Sequence, residues 1–195
     1  MAKPCSPSTH ERFVPAGTGA GLRLSSGQIG FLRQMARDSR TGFMVPRFQR
    51  NRPSSEGTLA LFSGPKGTGK TMAAQTVARE LGFSIYRVAL SQVASKYIGE
   101  TEKNLARLLE TAEKKKAVLL FDEADALFGK RTAVKDSHDR YANLEVSHWL
   151  ERLKSYPGLV ILVSNQKVEI DPQAGCYLKY ILEFSLPPSA PQLKR

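Results

Sequence analysis

The stretch LFSGPKGTGKT, residues 61–71, constrains the chain more than any other. Gly64, Gly69, Lys70 and Thr71 fit G-x-x-x-x-G-K-[ST], a phosphate-binding pattern. With glycine at about 7 % of average usage, those four positions arise by chance in under roughly one chain per hundred of this length. The flanks agree with the pattern. TLALFS is a short apolar run fit for a buried strand, and TMAAQTVARELG reads as a helix with Gly82 as its stop. Strand, glycine loop and helix in that order are the context the pattern needs.

The chemistry expected of the loop is that of its backbone. Glycines let the chain turn with positive φ and bring N–H groups close to phosphate oxygens. The helix that follows adds its positive N-terminal end to the same anion. Lys70 would reach the outer phosphates, and the Thr71 hydroxyl would ligate Mg²⁺. Pro65, Lys66, Gly67 and Thr68 complete the loop and Met72 follows Thr71 into the helix, so residues 64–72 are the expected nucleotide-binding segment.

The rest of the chain supplies a matching frame. FSIYRVAL (83–90), AVLLFDE (117–123), GLVILVSN (158–165) and YILEF (180–184) read as further strands. Between them, TEKNLARLLETAEKKK (101–116) places Leu105, Leu108, Leu109 and Ala112 on one helical face, with Lys114, Lys115 and Lys116 suiting its C-terminal dipole. YANLEVSHWLERLKSY is a further helix with Ala142, Val146, Trp149, Leu150 and Leu153 inward. SSGQIGFLRQMARDSR carries Ile29, Leu32, Met35 and Ala36 at helical spacing. Alternating strands and helices imply an α/β fold, a five-stranded parallel sheet flanked by helices. Residues 1–24, rich in Pro, Gly, Ser and Thr, are expected to be poorly ordered, and QRNRPSSEG is a linker.

LLFDEADALF (119–128) ends an apolar strand in Asp122 and Glu123, with Asp125 just beyond. In a parallel α/β sheet, ligands gather at the carboxyl ends of the strands. Asp122 would therefore face the Mg²⁺ held by Thr71, and Glu123 would polarise a water for attack on the terminal phosphate. The bland alternative is a helix N-terminus carrying acidic residues to suit its dipole.

With GPKGTGKT as Walker A and LLFDEADALF as Walker B, the chain resembles the AAA+ ATPases over about residues 57–187. SKYIGETEKNLARLLETA and VSNQ extend the resemblance. It looks nearest to small bacterial AAA proteins of a kind found beside contractile injection systems. The resemblance implies a P-loop NTPase core over 53–188; by composition and spacing, 1–52 is a basic extension with one helix, and 189–195 is a tail. It implies ATP and Mg²⁺ as ligands and Asn165 as the polar sensor that helps orient the attacking water. Tyr97 matches the pore-loop aromatic that grips a translocated polypeptide, against the plainer reading of a packed loop aromatic. It also implies a protein substrate or assembly partner and a homo- or hetero-oligomer, hexameric in the family's manner.

Two departures stand out. The family follows its sensor strand with I-D-x-A-x-x-R-R; here Ile170, Asp171 and LEFSLP fix the register, and the arginine positions fall on Cys176 and Tyr177. Lys179 is the nearest cation, but an ammonium lacks the planar fork of guanidinium. The family's helical lid is expected to be missing, since the chain stops at Arg195.

Composition bounds the alternatives. No apolar run approaches a membrane span, and MAKPCSPSTHERFVPAG has no apolar core of a secretory signal. Cys5 and Cys176 show no metal or redox spacing, and a cytoplasmic setting is expected. His138 and His148 have no third ligand nearby. Residues 1–52 hold nine of the 29 Lys/Arg and two of the 18 Asp/Glu, a net +7 of the chain's +11. Such an arm suits nucleic acid or an acidic partner as well as plain solvation, and no nucleic-acid motif accompanies it, so nucleic acid is not the expected partner. The functions open at this point are an ATPase that remodels protein partners, a nucleotide-binding module with little hydrolysis, and a truncated core.

Overall fold

The computed structural model describes residues 9–13, 24–44, 57–90, 100–127, 148–168, 170 and 172–186. Their elements run β1 (Thr9–Phe13), α1 (Ser26–Met44), β2 (Thr58–Ser63), α2 (Lys70–Leu81), β3 (Ile85–Ala89), α3 (Glu100–Lys114), β4 (Val118–Asp122), a 3₁₀ turn (Ala124–Leu127), helix α4 over 148–154, β5 (Leu159–Val163), a single-turn α5 (Pro172–Gly175) and β6 (Tyr180–Phe184). The strands form one sheet in the order β1-β6-β2-β5-β4-β3, and every pairing is parallel.

Five of these strands, β2 to β6, are the parallel sheet expected from the apolar runs. The sixth is not. The segment THERF, Thr9–Phe13, lies in a stretch expected to be poorly ordered, yet its backbone pairs with β6 from Thr9↔Tyr180 to Phe13↔Phe184. An edge strand needs only one partner and no apolar run of its own, because backbone hydrogen bonds supply the pairing.

Every residue of β2 and β5 is buried, as strands covered on both faces require. Alternate residues face opposite layers. Leu59 and Leu61 of β2, Leu119 and Phe121 of β4, and Val160 and Leu162 of β5 pack with Leu105, Leu109 and Ala112 of α3 and with Leu150 and Leu153 of α4. Ala60, Phe62, Val118, Leu120, Leu159, Ile161 and Val163 face the other way. They meet Ala73, Ala74, Val77 and Leu81 of α2, and Leu32, Met35 and Ala36 of α1. The N-terminal helix thus belongs to the core of one layer, and it continues beyond the sequence-based stretch to Met44.

Polar contacts tie α1 to its surroundings. The Arg33 Nε lies 3.1 Å from Glu80 Oε1, and Arg40 donates to the Glu80 carbonyl at the end of α2 at 3.3 Å. Asp38 accepts from the Tyr180 hydroxyl on β6, and burial together with that carboxylate raises the Tyr180 pKa. No helix among the described residues is long and apolar enough to cross a membrane.

Candidate nucleotide site

The loop between β2 and α2 is shaped by two glycines in particular. Gly64 has φ 137°, and a Cβ there would stand 2.0 Å from the Phe184 carbonyl oxygen, so only glycine lets β6 pass this close. Gly69 is the N-cap of α2 at φ 91° and offers no side chain to cap the helix. The first amides of α2 therefore have neither an upstream carbonyl nor a capping side chain, which is the arrangement that receives an anion.

Lys70 opens the helix and is only 5 % exposed. Its Nζ donates to the carbonyls of Gly64 at 2.6 Å and Pro65 at 2.7 Å. Burial lowers its pKa from 10.5, Asp122 and Asp125 oppose that shift, and Lys66 adds to it. Thr68 is buried and donates its hydroxyl to the Pro65 carbonyl at 2.8 Å, so it closes the loop on itself.

The carboxylates come from the end of β4. Asp122 accepts the Glu123 N–H on Oδ1 at 3.1 Å. Its Oδ2 accepts Arg87 Nε at 3.1 Å and a second N–H of the same guanidinium. Glu123 has φ 58°, a left-handed conformation that a residue with a Cβ seldom takes. Asp125 turns away toward β5. It accepts the Ser164 hydroxyl at 2.6 Å and the Asn165 N–H at 3.1 Å, which fixes the chain just beyond β5.

These parts share one cleft of about 460 Å³ at the carboxyl ends of β2, β3, β4 and β5. Of the residues singled out in the sequence, Lys66, Gly67, Gly69, Lys70, Thr71, Met72, Asp122, Glu123 and Asn165 line it. Gly64, Pro65 and Thr68 shape the loop from behind. Tyr97, Ala142, Val146, His138 and Asp171 lie outside the described residues. His148 is exposed, 3.8 Å from Glu102.

Arg87 and Val163 also line the cleft, and sequence reasoning passed over both. Arg87 left a signal: it is the single charge in FSIYRVAL, two residues before the end of a strand whose neighbour carries Asp122. Around the expected arginine positions, α5 is one turn long and ends before Cys176. Tyr177 packs partly against the core. Lys179 reaches not toward a neighbouring site but to Asp38 on α1, 3.5 Å from its Oδ2.

With the strand order, loop and carboxylates in place, comparison with known proteins gives the same class. The profile of the ATPase family associated with various cellular activities (AAA) matches residues 60–185, and the chain belongs to that family. An uncharacterized AAA family ATPase, y4kL, of Sinorhizobium fredii is 35 % identical over 117 residues, 60 % of this chain and 34 % of that protein. Protein CdcH of Halobacterium salinarum is 31 % identical over 114 residues, 57 % of this chain and 15 % of its own length. A probable 26S proteasome regulatory subunit 10B of Caenorhabditis elegans is 32 % identical over 117 residues, 57 % of this chain and 29 % of that protein. The chain thus matches about a third or less of the length of each of these relatives.

The donor set fits Mg²⁺. The Thr71 hydroxyl and the Asp122 carboxylate are hard oxygen donors, and this ion characteristically combines one or two such groups with substrate phosphates and water. Among the described residues no group of three or more His, Cys, Asp or Glu is placed to hold a metal unaided.

Proposed function

We propose that the protein is a cytoplasmic, Mg²⁺-dependent ATP hydrolase whose nucleotide state drives remodelling or assembly of protein partners, within a homo- or hetero-oligomer. The observation that carries this reading is the cleft itself, where Lys70, Thr71, Asp122, Glu123 and Asn165 converge from three strand ends. Lys70 and the first amides of α2 bind the outer phosphates. Thr71 and Asp122 would hold Mg²⁺, which when bound neutralises charge on the phosphates. Glu123 accepts the proton of the attacking water, and Asn165 orients that water. Protein remodelling is carried over from family membership and is the less direct part of the proposal.

A specific observation favours low intrinsic turnover. The family's arginine positions hold Cys176 and Tyr177, and Lys179 is engaged by Asp38. Arginine at such a position is worth about 10³–10⁵ in rate. The purified protein alone should therefore be a slow ATPase, about 10³-fold below a relative with its arginine in place. The test is ATP turnover against protein concentration, with and without candidate partner chains, using Glu123→Gln as the control. A rate near about one per second for the unmodified protein, within the ordinary kcat range, would refute the low-turnover reading. A Glu123→Gln variant as fast as wild type would refute the assigned base.

A further inference from the structure

Arg87 lines the cleft with a full charge and has no place in the scheme above. It sits on β3, beside β4 in the sheet, in register with Leu120, while Ala89 is in register with Asp122. Its side chain is 61 % exposed, whereas that of Asp122 is 20 % exposed. The guanidinium spends two N–H groups on a single oxygen, Asp122 Oδ2, and the other oxygen accepts the Glu123 N–H. Both oxygens of the carboxylate expected to serve the metal are thus already engaged.

Resting on the Mg·ATP reading, we propose that Arg87 is an internal cation that competes with Mg²⁺ for Asp122 and pairs with nucleotide phosphate when the metal takes that carboxylate. The chemistry runs in both directions. A guanidinium on Asp122 neutralises the charge that would attract a lone divalent ion, so metal alone finds a poor site. A guanidinium released from Asp122 is a planar fork suited to phosphate oxygens, and it already lines the cleft that holds the phosphate loop. Metal and nucleotide then favour each other's binding through one side chain, and the coupling is reciprocal. Exposure of Arg87 gives it the freedom to exchange partners, which a buried arginine would lack.

The prediction has a signature that loss of structure does not produce, because Arg87→Gln should act differently on the two forms of the ligand. Binding of ATP in EDTA should weaken about tenfold, because Asp122, without guanidinium or metal, then faces the phosphates with its charge uncompensated. Binding of Mg·ATP should weaken by no more than about threefold, because the freed Asp122 holds the metal better. The gain in affinity conferred by Mg²⁺ therefore grows in the variant. Arg87→Lys keeps the charge without the fork and should fall between. The experiment is calorimetric titration of the full chain with ATP in EDTA and with Mg·ATP, for wild type and both variants. Equal weakening of both ligand forms in Arg87→Gln, or weakening of neither, would overturn the proposal. Wild-type protein that binds neither form would instead remove the Mg·ATP reading beneath it. Should Arg87→Gln fail to fold, the charge-conserving lysine variant still decides the matter: a Mg²⁺ gain equal to that of wild type overturns the role of the fork.

Discussion

Replacing Glu123 with glycine should stabilise the protein while removing its proposed base. The φ of 58° at this residue is a conformation that costs an L-residue with a Cβ about 1–2 kcal/mol. Glycine relieves that strain but adds about 0.5–1 kcal/mol of unfolded-state freedom. The net gain is about 0.5–1 kcal/mol. For a chain of 195 residues each kcal/mol moves Tm by about 2–4 °C, so a rise of about 1–4 °C is expected. Asp122 and Asp125 lie nearby, so removing the Glu123 charge alone relieves some repulsion. Glu123→Gln serves as the reference that removes charge and keeps strain. Glu123→Val should fall below both, since a β-branched side chain fits the left-handed region worst. Differential scanning calorimetry of the four proteins, paired with turnover measurements, gives the comparison. The reasoning fails if the glycine variant melts below the glutamine variant. In that case the Glu123 side chain contributes contacts worth more than its backbone costs. A base held in a strained conformation is a known compromise between stability and activity.

Three further outcomes are expected. Lys70→Met should abolish the thermal shift produced by ATP, which in wild type reaches about 2.7 kcal/mol at a hundredfold excess over Kd; equal shifts in the two proteins would reassign the phosphate contact. Burial lowers the Lys70 pKa below 10.5, so between the lowered value and 10.5 the unfolded chain binds more protons than the folded one. Wild-type stability should accordingly gain on Lys70→Met as pH rises toward 10.5, as followed by urea denaturation, and a gap that widens the other way would contradict the burial argument. Asp125→Ala removes the acceptor of the Ser164 hydroxyl and the Asn165 N–H, and should cost about 1–3 kcal/mol together with turnover; unchanged calorimetric stability would count against it. Gly64→Ala forces a Cβ against the Phe184 carbonyl, so it should lower Tm and weaken ATP binding together, and a variant with a wild-type melting profile would refute the close approach.

The parts of the candidate site that are local along the chain were legible in the sequence. The phosphate loop, its strand and its helix are contiguous, and β2 and β5 are apolar throughout because both faces are covered. YILEF coincides with β6 residue for residue. What stayed hidden depends on register between distant segments. The Arg87 contact with Asp122 bridges 35 residues and needs the alignment of β3 with β4. The Tyr180 contact with Asp38 bridges 142 residues. THERF shows no apolar alternation, so nothing local marks it as a strand, and its pairing with β6 is a property of the partner's edge. The left-handed φ of Glu123 is equally silent, since glutamate carries no preference for it.

Strand β6 acts mechanically as a strut. At its start, Tyr180 is fastened to Asp38 on α1, with Lys179 reaching the same carboxylate; at its end, the Phe184 carbonyl abuts Gly64 of the phosphate loop. Its five residues span about 13 Å at the usual rise of a strand. A displacement of α1 would therefore reach Gly64, in the proposed phosphate loop, along β6 without crossing the layer of α3 and α4. Helix α1 would thus be a handle on the proposed nucleotide site.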